Sequence, residues 1–140
     1  MRLIQNYRES DSLVEWLRRL TEAVAVIEEW REVGTTGNPA FQNSWANVGG
    51  TTPPAGFYID PYQVVHLRGN IDTGASGTVA FTLPVGYRPE YNTYRISYND
   101  NGGPGPGGAA VHIQVQADGD VIPTFGAGTD AWLDGVSFRV

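Results

Sequence analysis

Apolar residues recur along this chain with two different periods, and the change falls at Gly34. Leu13, Leu17, Leu20, Val24 and Ile27 are spaced 4, 3, 4, 3, the heptad rhythm of a helix that packs along another helix. Ser12 and Glu15 fit a capping box at its start, because the Ser12 hydroxyl can accept the Glu15 N–H. Gly34 stands where a left-handed residue would end the helix. The spacing therefore predicts about 20 helical residues, roughly 30 Å of rod. With Leu17 and Val24 at a, Val14 falls at e and Trp16, Ala23 and Trp30 at g. That stripe is wider than a two-stranded seam needs and favours three helices. The competing expectation is an amphipathic helix lying on a β-sheet.

Beyond Thr35 the period becomes two. Val65, Leu67 and Ile71 alternate with His66, Arg68 and Asn70, and Val79, Phe81 and Leu83 share the next inward face. Tyr94, Ile96 and Tyr98 alternate with Thr93, Arg95 and Ser97; Val111, Ile113 and Val115 alternate with His112, Gln114 and Gln116. Asp118-Gly119 signals a hairpin, and Val136, Phe138 and Val140 form a last strand. Short strands between Pro/Gly turns predict a mainly β protein. The expected architecture is an antiparallel, jelly-roll-like β-sandwich head at 35–140, carried on an N-terminal coiled-coil neck at 1–34, as a homotrimer.

The 140 residues suffice for one core plus the helix. Net charge is −6, with seven acids against five Arg in 1–34 and eight against four in 35–140. No concentrated basic face is visible, which argues against nucleic acid as a partner. Cysteine is absent, so disulfides, thiolate catalysis and Cys-ligated zinc are excluded. No apolar run approaches a membrane span, and the first residues lack the apolar middle of a signal peptide.

Phe41 to Gly50 (FQNSWANVGG), Pro54 to Tyr58, Val64 to Gly69, Phe81 to Pro89 (FTLPVGYRP) and Leu133 to Arg139 follow one another in an order that resembles a known group. The chain looks like the C-terminal head domain of tailed-bacteriophage tail-fibre and receptor-binding proteins, over roughly residues 41–140. That resemblance implies a β-sandwich head, usually a homotrimer on a helical or fibrous neck. It also implies attachment of the virion, outside the host cell, to a host-surface receptor, often a saccharide. Other tail proteins would be met through the N-terminal helix. The alternative is a structural trimerisation cap, or a baseplate or neck component binding other virion proteins.

The familiar segments read as scaffold, with Trp45 closing the base of the head against the helix and Pro84 to Pro89 forming a rigid turn. Ligand contacts are expected instead where aromatic and amide groups enter loops. Tyr98, Asn99, Asp100 and Asn101 lead into the Gly/Pro run at 102–108, and Asp130 and Trp132 precede the last strand. Aromatic rings stack on apolar sugar faces while Asp and Asn orient hydroxyls. Leu13, Leu17, Leu20, Val24 and Ile27 are the expected oligomerisation residues. His66 and His112 lack a metal-ligand spacing, and Asp118-Gly119-Asp120 is only a fragment of a calcium loop. No nucleophile elbow, phosphate loop or zinc-protease motif is present. Asp120, Asp130 and Asp134 are the only acids grouped closely enough for glycan hydrolysis. No catalytic residue, metal or cofactor is therefore expected.

Overall fold

A computed structural model describes residues 12–25, 27–100 and 108–140, apart from the side chains of 23–25. Among the described residues lie one helix, α1 (Leu13–Ala25), and eleven strands. In chain order these are β1 (Arg31–Glu32), β2 (Ala46–Asn47), β3 (Gly56–Ile59), β4 (Val64–Arg68), β5 (Asn70–Asp72) and β6 (Phe81–Thr82). They continue as β7 (Thr93–Tyr98), β8 (Ala110–Val115), β9 (Asp120–Thr124), β10 (Asp130–Trp132) and β11 (Ser137–Arg139). The chain is mainly β, and every strand pair is antiparallel.

Three sheets result, ordered β1-β3-β4-β11, β10-β5-β2 and β6-β9-β8-β7. Alternate residues of all three feed one core. Val65 and Leu67 of β4, Val111, Ile113 and Val115 of β8, and Val121 of β9 are buried with Phe57, Phe81, Ile71, Leu133 and Phe138. Each such side chain contributes about 1.5–3 kcal/mol by leaving water. The expected hairpin follows β8, with Gly119 at φ +98° and the Gln116 N–H donating to the Asp120 carbonyl at 2.9 Å.

The helix is shorter than its heptad pattern. The predicted cap is present, the Glu15 N–H donating to Ser12 Oγ at 3.2 Å. The helix nevertheless ends at Ala25, and Arg31–Glu32 pairs with Phe57 and Gly56 as an edge strand. Side chains of the head explain the early stop. Glu28 accepts the Ile59 N–H at 2.9 Å and the Tyr87 hydroxyl, while Arg31 donates to Tyr87 and Asn38. These contacts hold 28–32 extended against the head, whereas a helix would wind them away. Ile27 therefore lies outside the helix, and Arg31–Glu32 belongs to the sheet. Gly34, at φ +88°, turns the chain after β1 rather than capping α1. Val24 lies in α1, but its side chain is outside those described.

The second departure is at Gly69. Alternation through 63–72 places Asn70 on the polar face, yet Asn70 is buried. The strand breaks at Gly69, where φ is +108° and a Cβ would stand 2.6 Å from the Ala55 backbone. One residue thus passes the chain from the β4 sheet to the β5 sheet, where Asn70 is buried beside Ile71. Trp45 is a core residue packed edge-on to Phe125, its indole N–H donating to Thr78.

Candidate functional site: the exit of strand β7

Strand β7 carries its apolar residues outward. Tyr94, Ile96 and Tyr98 are 61%, 69% and 51% exposed, and Arg95 and Ser97 on the other side bond to the carbonyls of Ser137 and Trp132. At the end of the strand Tyr98 stacks on Trp132, with ring centroids 5.7 Å apart and planes 10° from parallel. Five of the six residues expected to bind ligand therefore lie in one place; Asn101 is outside the described residues.

Their roles differ. Asn99 is fully buried; its amide donates to the Ala127 carbonyl at 2.6 Å and accepts the Ala109 N–H at 3.1 Å. With both ends of the amide engaged, Asn99 clamps the base of the loop. Asp130 is also buried, and the Asp100 N–H approaches its Oδ2 at 3.5 Å. Burial pushes the Asp130 carboxyl above the usual carboxylate range, and the neighbouring Asp100 carboxyl adds to this. The Asn70 amide and the Asp100 N–H oppose the shift. Tyr98 and Trp132 are left as the aromatic surface: each uses one ring face on the other, and Tyr98 remains half exposed.

The acids considered for hydrolysis hold structure instead of facing one another in a groove. Asp120 accepts the Thr82 hydroxyl at 2.6 Å, and Asp134 accepts the Gly69 N–H at 2.8 Å. His66 and His112 lie in different sheets. Among the described residues no cluster of three His, Cys, Asp or Glu side chains could hold a metal.

A second surface escaped the sequence. Trp30 meets Tyr58 edge-on at 4.6 Å, Tyr58 stacks on His66 at 4.9 Å, and the Arg68 guanidinium lies 4.5 Å over the Trp30 ring. His66 contacts Asp60 at 2.8 Å and Arg68 pairs with Glu32 at 3.3 Å. A cleft of about 300 Å³ runs from Trp30 and Tyr58 past Arg68 to Asp134 and Ser137. Trp30 was hidden by the overlong helix. The outward alternation of His66 and Arg68 was the available signal.

Comparison with solved structures places this geometry. The crystal structure of the receptor binding protein (gp15) of Listeria phage PSA superposes with a TM-score of 0.56, covering 96% of this chain and 83% of that one. The fold is that of a phage receptor-binding protein. Sequence identity is 14%, so the likeness lies in the path of the backbone and not in the side chains. No family model matches the chain, and no curated protein does. Among the described residues no helix is long and apolar enough to cross a membrane.

Proposed function

We propose that this chain is a receptor-binding tip of a phage or prophage tail, attaching the virion to a host-surface saccharide without catalysis. The observation that carries this is the backbone likeness to a phage receptor binding protein over nearly the whole chain. The head is taken as a jelly-roll-like sandwich, three copies of which assemble with α1 as a coiled-coil neck. Supporting the trimer, Leu13, Val14 and Leu17 of α1 are exposed, as is the apolar face of β7. Such faces are normally covered by another surface.

The sugar would be held at the exit of β7, where the Tyr98–Trp132 stack offers a ring face and Asp100 a carboxylate. Three weak sites on one rigid head raise affinity through effective concentration. The same exposed β7 face favours the second reading, a structural cap whose surface meets other virion proteins.

The test is binding of the purified protein to an array of bacterial surface glycans, with Tyr98→Ala beside the wild type. We expect loss of about tenfold in per-site affinity, the usual cost of an aromatic anchor, with little change in melting temperature. Undiminished glycan binding by Tyr98→Ala removes the site from β7. Binding to no glycan, with retention of purified tail components, favours the structural cap.

A further inference from the structure

The outward face of the β3–β4–β11 sheet carries a row of polar and aromatic side chains set by register. Tyr58 stands opposite His66, and His66 opposite Ser137. Arg68 follows two positions along β4 on the same face, while Val65 and Leu67, which alternate with these residues, are buried. Trp30 lies against the row. It meets Tyr58 edge-on at 4.6 Å and takes the Arg68 guanidinium over its ring at 4.5 Å, yet remains 36% exposed. The cleft of about 300 Å³ along these side chains is also lined by Asp134.

The chemistry of the lining selects the occupant. Arg68 and Asp134 offset each other, the His66 ring is engaged by Asp60 at 2.8 Å, and Glu32 pairs with Arg68 at 3.3 Å. The cleft therefore offers an ion no net charge of opposite sign, and a cation meets Arg68 already seated on the Trp30 ring. What remains is aromatic surface with hydrogen-bonding groups of both kinds. Arg68 gives Nη2 to Glu32, which leaves Nη1 as a donor; Asp134 gives Oδ1 to the Gly69 N–H, which leaves Oδ2 as an acceptor. The Ser137 hydroxyl can serve as either. A neutral sugar, with apolar ring faces and hydroxyls at its edge, matches that set. The volume is at the small end of ligand sites and suits a ring or two rather than a lipid or peptide chain.

We propose that this cleft is a second subsite for a neutral sugar ring, separate from the exit of β7; the inference rests on the saccharide reading above. Trp30 and Tyr58 supply the aromatic surface, and Arg68, Asp134 and Ser137 orient the hydroxyls. Backbone pairing already fixes Tyr58, His66 and Ser137, so little further ordering is lost on binding. Trp132 and Asp134 are two residues apart, which keeps their Cα atoms within about 7 Å of each other. One glycan chain can therefore reach both subsites, and the receptor is read as an oligosaccharide rather than as a terminal sugar.

Nuclear magnetic resonance of the full chain tests this, because its four tryptophans give separate indole N–H signals that single Trp-to-Phe variants assign. Neutral hexoses, N-acetylhexosamines and the glycans retained on the array are titrated in turn into the millimolar range. The Trp30 signal should move saturably, and a retained oligosaccharide should move the Trp132 signal as well. Trp30→Ala should lose about tenfold in affinity for that oligosaccharide, whereas Trp30→Phe keeps a ring and most of the binding. Ser137→Tyr fills the cleft from an outward position; it should abolish binding there and serves if Trp30→Ala does not fold. Added salt should change the affinity by less than about twofold, since a neutral ligand has no charge to screen. Movement of Trp132 with Trp30 unmoved overturns the second subsite and leaves attachment at β7 standing. Movement of Trp30 alone upholds the cleft and takes the sugar away from β7. If no sugar moves either signal, the cleft and the saccharide reading fall together. Binding at Trp30 that weakens about tenfold or more with salt overturns the neutral class of ligand.

Discussion

Asp60 and Asp130 are both partly or wholly removed from solvent, yet the head moves their carboxyls in opposite directions. Asp60 is held below its ordinary 3.8, first by the His66 ring and then, against some desolvation, by the Val64 and Tyr62 N–H groups. Those N–H groups donate to Asp60 Oδ1 at 3.1 and 2.8 Å, so the carboxylate pins the turn between β3 and β4. A depressed folded pKa contributes stability above the unfolded value, and that contribution is lost as pH falls through the folded value. Asp60→Asn should therefore lower the melting temperature most above about pH 4, with the gap to the wild type closing in more acidic buffer. A gap independent of pH would mean that the turn is held by packing rather than by charge. Asp130 carries the reverse sign: burial raises its carboxyl, so its ionised form opposes folding as pH rises.

Strands were more legible in this sequence than the helix boundary, and the reason is local. Val111, Ile113 and Val115 alternate cleanly because one face of β8 meets the core and the other meets water, so period two reports burial directly. The heptad from Leu13 to Ile27 reports only that an apolar stripe exists. What ends the helix is the engagement of Glu28 and Arg31 by Ile59, Tyr87 and Asn38, partners that spacing along the chain cannot reveal. For the same reason Trp30 read as a helix position, and the Trp30–Tyr58–His66 surface went unseen. Asn70 was missed because the alternation rule assumes an unbroken strand. Gly69 breaks it, donating to Asp134 and accepting the Leu133 N–H at 2.8 Å each. Gly69→Ala should cost about 3 kcal/mol or more, since it adds left-handed strain to a clash with backbone that cannot rotate away. Chemical denaturation measures this, and a loss under about 1 kcal/mol would show that the corner relaxes freely.

Among the described residues, α1 and the outward face of β7 both leave apolar side chains in water, and they are unequal candidates for holding copies together. The described helix has 13 residues, near the length at which an isolated helix is marginal in water. Its exposed Leu13, Val14 and Leu17 gain from partners only if those partners are already close. The β7 face is already fixed by six register pairs to β8, so burying Tyr94 and Ile96 costs little further ordering. Head contacts should accordingly form the oligomer, with the helices following. Sedimentation equilibrium should find three copies of the 15.2 kDa chain. Ile96→Glu places a charge on the rigid face and should shift the population towards monomer more than Leu17→Glu does. If Leu17→Glu dissociates the assembly while Ile96→Glu leaves it whole, the neck holds the heads and β7 is free to meet another partner. A wild-type monomer at micromolar concentration would remove the avidity on which the proposed attachment depends.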